Sequence, residues 1–471
     1  METEYKENLL TFDELRQAGF TVESFGAADP RFFSSVCVDS RKARKGSLFV
    51  ALRGEKADGH DFAADAINAG AAGIVIERGR GDIIERAKGR CHIVLADDTL
   101  NTLQKTAALY VSKFDTLFKI GITGSSGKTT AKEICASIFA QEKKVIYNEG
   151  NLNSDTGLPL AVFTIRKEHE TGIFEMGMNR KGEMAEIAAV LKPDIALITN
   201  IGSAHIGILG SLENIAREKQ AVCSQFTGSQ TLLVPQNVSF QNIFKTSTHG
   251  RVVFYDTLDT FTGTVENAGL NGSTIRWDGF SARFPLAGTH NAENALAALA
   301  LARECGVSGA SIAAGLESVK PLFGRAEVLR TYTRDGTGYT LVRDCYNANP
   351  ESMEKALDFC DEIKTASDSP AVPRKLYIIG AMRELGKETE TEHRKLGKRL
   401  AVSGADAVFL FGEETEISAD ILHACTTKKN IYQTNDIDEL IRAVRAEVHK
   451  DDLILLKGSR SCGLERVEKG I

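Results

Sequence analysis

No cysteine pair in this chain has the spacing of a redox or metal site. Nine cysteines are scattered, the closest two being Cys345 and Cys360, and there is no CxxC. An odd count without that motif fits a reducing compartment and free, mostly structural thiols. No apolar run is long enough to span a bilayer, and the opening METEYKENLL lacks the apolar core of a signal peptide, so a cytoplasmic protein is expected. Basic residues are not in excess: 57 Lys and Arg face 63 Asp and Glu, for a net charge of −6. A nonspecific nucleic-acid binder needs a basic face to displace counterions, and that class is excluded. A small anion needs only one locally positive site and is not. Short-period repeats, low-complexity tracts and long polar linkers are also missing.

What is there is an ordinary globular composition, 42% hydrophobic and 25% charged over 471 residues. That length is too great for one small core and suggests about two to four domains. The chain is organised around Gly121 to Thr130, GITGSSGKTT. An apolar run, Leu117 to Ile122, reads as a buried strand before it, and Ala131 to Ala140 has helical spacing after it. Strand, glycine turn and helix together make a phosphate-gripping loop. Gly124 and Gly127 free the backbone so that N–H groups of the loop, Gly124 to Thr130 with Ser125 and Ser126 between, converge on phosphate oxygens. Lys128 would add a point charge on the outer phosphates and Thr129 a hydroxyl for magnesium. The generic motif wants glycine where Ile122 stands; here it comes one residue earlier, at Gly121.

Before this loop, residues 1–113 alternate strand and helix patterns as a small α/β unit, with Ser47 to Leu52 and Gly73 to Ile76 as strands. Ser40 and Arg41 open a basic, glycine-punctuated segment that fits a diphosphate grip or plain solvated surface, and charge runs are usually solvated. Residues 114–325 alternate strand and helix as a doubly wound, mostly parallel sheet requires. Runs ending at Glu175 and leading into His205 put two metal-ligand side chains at carboxyl ends of strands, where such sheets bind ligands. Lys219, on a helix from Glu213 to Phe226, reads alone as a surface lysine. Residues 249–285 look like a β-rich meander, and Asn291 and Asn294 on the next helix suit either caps or contacts to a base. PLFGRAEV marks a boundary, after which 326–471 form a third, Rossmann-like α/β unit with a strand running into Asp344.

GxTGxxGKTT, EMGM, NIGSAHIG, HNAENALAA, YNANPES and KGSRS occur in this order over nearly the whole chain, which thereby resembles the Mur ligase family. Within it, GNLNSDTGLP and YNANP are nearest the member that attaches D-alanyl-D-alanine to UDP-N-acetylmuramoyl-tripeptide, rather than the preceding ligase, which adds the third amino acid. The resemblance implies three domains, ATP and Mg2+ as cofactors, and a monomer acting through an acyl phosphate in peptidoglycan precursor synthesis. It implies phosphate and magnesium roles for Lys128 and Thr129, with Glu175 and His205 near the metals. Asn291 and Asn294 would face adenine, Arg325 the phosphates and Asp344 the ribose. Ser40 and Arg41 would belong to a nucleotide-sugar domain, and Asn153 to the substrate side. Lys219 falls in IAREKQAV, where family members carry a carbamylated lysine, an anion able to hold a second magnesium. Two positions depart from the pattern: Ala381 stands where aspartate is usual, and Arg343 where an acidic residue is common. A nucleotide switch without ligation is the rival class, although no guanine-reading NKxD segment is present.

Overall fold

The computed structural model describes residues 8–24, 31–54, 56–364, 373–426 and 429–471. The first seven residues of the opening segment and Glu55 of the basic segment lie outside them. Contacts divide the chain into two units, Met1–Gly121 with Lys144–Ala196 and Ala221–Gln230, and Ile122–Lys143 with Leu197–Gln220 and Thr231–Ile471.

The near-continuous apolar runs of the last third are explained by a sheet buried on both faces. Its order is Glu327–Tyr332, Gly338–Asp344, Leu453–Lys457, Lys375–Gly380, Ala407–Phe411, Asn430–Thr434. All neighbours pair in parallel except the edge strand Glu327–Tyr332, which is antiparallel to Gly338–Asp344. Successive strand residues point to opposite faces. Accordingly Tyr377, Ile379, Val408, Leu410 and Leu455 enter one core, while Leu376, Ile378, Phe409, Ile454 and Leu456 enter another. Helix Pro350–Glu362 starts where the sequence tells it to: Pro350 occupies the first turn, and Asn349 and Ser352 cap each other's backbone reciprocally.

A five-stranded sheet in the first unit runs Thr21–Glu23, His92–Ala96, Gly73–Glu77, Ser47–Val50, Ser35–Cys37. Only Thr21–Glu23 is antiparallel to its neighbour. Helix Ala63–Asn68 lies between Ser47–Val50 and Gly73–Glu77 in the chain.

The central sheet has the order Arg251–Tyr255, Thr231–Pro235, Ile195–Ile198, Phe118–Thr123, Thr171–Glu175, Val145–Tyr147. Of the expected meander, only Thr264–Asn267, Ser273–Trp277 and Phe280–Phe284 form an antiparallel sheet. Arg251–Tyr255 instead pairs in parallel with Thr231–Pro235 as the edge strand of the central sheet. The chain is therefore a mixed α/β protein with several mostly parallel sheets, as the alternation of patterns implies. Among the described residues no helix is long and apolar enough to cross a membrane. All nine cysteines are free; seven are buried, Cys305 is half-buried and Cys425 is exposed.

Candidate functional site

The loop after Phe118–Thr123 turns on two glycines. Gly127 has φ +76° and caps helix Lys128–Phe139, so the helix begins three residues earlier than apolar spacing suggests and carries Lys128, Thr129 and Thr130 in its first turn. Its N–H groups are left pointing out of the helix end, as an anion site requires. A Cβ on Gly127 would overlap Asn294 Oδ1, and one on Gly124 would overlap Thr199 Oγ1. Asn294 is thus packed against the loop. Asn291 is 2% exposed and donates its amide to the Ala287 carbonyl at 2.7 Å, so its visible task is to tie down the helix start.

The segment following Ile195–Ile198 clamps the loop. Ser126 N–H donates to Asn200 Oδ1 at 3.0 Å, while Asn200 Nδ2 donates to the Ser126 carbonyl and hydroxyl at 3.1 and 2.9 Å. Thr199 Oγ1 donates to the Ser126 carbonyl at 2.6 Å, and Ser125 Oγ exchanges hydrogen bonds with Gly202. Thr199, Asn200 and Gly202 thus hold the loop in shape, and the motif NIGSAHIG, which contains Asn200 and Gly202, is the sequence signal for two of them.

Lys219 corrects the reading of a lone surface lysine. It is 1% exposed, and its amine donates to the Gly124 carbonyl at 2.9 Å. Lys128 Nζ reaches the same carbonyl at 2.9 Å. Burial first, and the Lys128 charge second, hold Lys219 well below the ordinary lysine range. His205 adopts φ +65°. Its pKa is pushed down to about 4 by burial and then by Lys128 and Lys219, so the ring is neutral near pH 7. Its Nδ1 is buried with no hydrogen-bond partner; Glu384 Oε2 stands 3.9 Å away, beyond hydrogen-bond reach.

The remaining predicted residues fall into separate settings. Glu175, 3% exposed, accepts from Asn153 Nδ2 at 2.6 Å within the first unit, and Asn148 braces its backbone on both sides. Ser40 and Arg41 lie in a short turn capped by Asp39, with the Arg41 side chain 87% exposed and paired to Asp39 at 2.8 Å. Solvated surface is what the structure displays there. Arg325 stacks on the Tyr346 ring at 4.4 Å. Asp344 pairs with buried Lys457 at 2.8 Å and accepts from Ala326 N–H. Among the described residues no three His, Cys, Asp or Glu side chains are grouped to hold a metal unaided.

The two departures have local explanations. Arg343 forks between Glu327 and Glu468 at 2.8 and 2.7 Å and lies over Phe323, joining an edge strand to the C-terminal helix Glu465–Gly470. Ala381 is fully buried, and its backbone bonds Phe411 and Ser459.

Three family models match in chain order: the Mur ligase family catalytic domain over residues 33–109, the Mur ligase middle domain over 122–302, and the Mur ligase glutamate ligase domain over 324–460. The chain is 40% identical over 469 residues to the UDP-N-acetylmuramoyl-tripeptide--D-alanyl-D-alanine ligase of Treponema pallidum, covering 98% of both chains. Its identity to the Bacillus subtilis ligase of that name is 31%, covering 93% and 92%. Among solved structures it resembles MurF from Acinetobacter baumannii at TM-score 0.82, with 28% identity and 98% of each chain covered. It also resembles MurF from Thermotoga maritima in complex with ADP, at TM-score 0.78 and 27% identity, covering 93% and 96%. With three models in order and this identity over almost its whole length, the chain belongs to the Mur ligase family.

Proposed function

We propose that this chain is an ATP-dependent ligase that joins D-alanyl-D-alanine to UDP-N-acetylmuramoyl-tripeptide. The observation that carries the reading is a glycine loop at a helix start with two lysine amines on the Gly124 carbonyl, in a chain 40% identical to a ligase of that name. The acceptor's terminal carboxylate attacks the γ-phosphorus of ATP, the bond to ADP breaks, and an acyl phosphate forms. The dipeptide amine then attacks the acyl carbon; phosphate leaves, and the amine loses its proton as the amide forms.

Bringing carboxylate and phosphate together costs about 4 kcal/mol per charge pair at about 4 Å and an effective dielectric of about 20. In this reading Lys128 offsets that repulsion, and Arg325 leaves its Tyr346 stack to do the same. Gly124, Ser125, Ser126, Gly127 and Thr130 shape the phosphate cradle. Asn294 and Asn291 lie on the adenine side, and Asp344 at the ribose. Ser40 and Arg41 meet the uridine diphosphate, and Asn153 orients the acceptor by way of Glu175.

The Thr129 hydroxyl and, in its own unit, the Glu175 carboxylate are each oxygen donors of the kind taken by magnesium, a hard cation that completes its shell with phosphate oxygens and water. Bound there, it would withdraw charge from the transferring phosphoryl group. Lys219 as an ammonium cannot join it. As the neutral amine its burial favours, it can attack CO2, lose a proton and become a carbamate whose oxygens can; neutral His205 is the nitrogen donor beside it. We further take residues 1–113, 114–325 and 326–471 as three domains of a cytoplasmic monomer.

The test is phosphate release with ATP and magnesium, comparing the UDP-linked tripeptide alone, the dipeptide alone and both, with mass analysis of product. Release only with both, giving a UDP-linked pentapeptide, is expected. Release indifferent to both substrates would leave an ATPase and remove the ligase reading.

A further inference from the structure

The segment 200–210 is held from two sides. On one side Ser125 of the phosphate loop exchanges hydrogen bonds with Gly202, which ties the segment to the loop. On the other, Glu351 in the first turn of helix Pro350–Glu362 accepts from Ser203 N–H at 2.5 Å and from Ser203 Oγ at 2.8 Å. This approach needs a bare backbone: a Cβ on Gly202 would stand 3.1 Å from Glu351 Oε1. Five residues on, the contact is repeated, since a Cβ on Gly207 would stand 2.8 Å from the Leu385 carbonyl. Between the two glycines lies His205, left-handed at φ +65°, whose ring Nδ1 stands 3.9 Å from Oε2 of Glu384, also left-handed at φ +65°. Single non-glycine residues in that region are strained and persist only where their surroundings over-determine them.

We infer that Glu351 is a positioning residue that latches the His205 segment to the last third of the chain, keeping water from the acyl phosphate until the dipeptide amine arrives. Its carboxylate touches neither nucleotide nor peptide in this scheme. It acts through Ser203, fixing the segment that is also fixed to Ser125. A carboxylate suits this task because it takes two donors at once from one residue, backbone and hydroxyl, and so sets direction as well as distance. Without it the segment keeps its loop attachment and loses its second anchor, and water gains entry to an anhydride that hydrolyses readily.

The inference rests on the ligase reading, and the experiment separates the two. The quantity measured is phosphate released per amide product, with both substrates present, for the wild type and for Glu351→Ala. A wild type that makes no amide product sinks the ligase reading itself. If the wild type gives a ratio near one, the latch predicts that folded E351A rises at least about twofold, through hydrolysis of the intermediate. A ratio still at one in folded E351A overturns the latch even if turnover falls, because a purely structural defect slows ligation without uncoupling it. Should E351A fail to fold, the same two outcomes are read from Glu351→Gln, whose side-chain NH2 cannot accept one of the two Ser203 donors.

Discussion

The side-chain amines of Lys128 and Lys219 each lie 2.9 Å from one acceptor, the carbonyl of Gly124. Lys128 is half-buried and Lys219 fully buried, so the cost of keeping two cations this close falls on Lys219. The loop is arranged around a lysine whose proton is held less tightly than an ordinary lysine's.

Unfolded, Lys219 keeps its proton up to its ordinary value of 10.5; folded, it releases it far lower. The unfolded state therefore binds more protons through that window, and stability rises with pH across it. Lys219→Met abolishes this titration. Ligation is expected to fall by about 100-fold or more, while Tm at pH 7 holds or rises. The advantage of K219M over wild type in Tm should shrink as pH rises toward 10.5. Near-normal turnover by K219M would remove the lysine from the chemistry.

His205 acts with the same sign in a more acid window. Its folded value of about 4 lies below its ordinary 6.5, so the stability it permits is complete above 6.5 and is lost as pH falls through 4. The loss amounts to about 3 kcal/mol. His205→Gln should flatten the acid limb of a denaturant-midpoint profile. The wild-type rate should show no inflection near pH 6.5 from this ring.

Gly127→Ala forces a Cβ into Asn294 and places alanine at φ +76°. A destabilisation of about 1–3 kcal/mol is expected. Calorimetric titration should show ADP affinity at least about tenfold weaker, since the turned N–H groups no longer converge.

Arg343 is expected to matter for stability and not for the nucleotide. Both its carboxylate partners are mostly shielded, so Arg343→Ala leaves Glu327 and Glu468 facing each other unpaired. The expected cost is about 3 kcal/mol in urea denaturation, with the KM for ATP unchanged.

Fold class was legible because period-two burial on both faces of parallel strands writes long apolar runs such as LYIIG, and helix Pro350–Glu362 announces itself by Asn349 and Pro350. The strand Arg251–Tyr255 was misassigned to a meander because nothing in its own residues says which neighbour it pairs with. Lys128, Thr129 and the two loop glycines were readable from local spacing. Lys219 was not, since a lysine's burial depends on chain brought in from Gly124, 95 residues away. Glu351 was invisible for the same reason: its partner Ser203 lies 148 residues away. Contacts of that range carry no local pattern.

The distribution of thiols has a practical corollary. Cys425 ends helix Thr415–Cys425 in the last third of the chain, and it is the one exposed cysteine of nine. Burial keeps Cys135 and Cys360 protonated and raises Cys37, Cys91 and Cys345 to about 11. A maleimide fluorophore should therefore react at a single place without any engineering of the chain. It would turn the natural protein into an optical reporter for that third of the molecule during turnover.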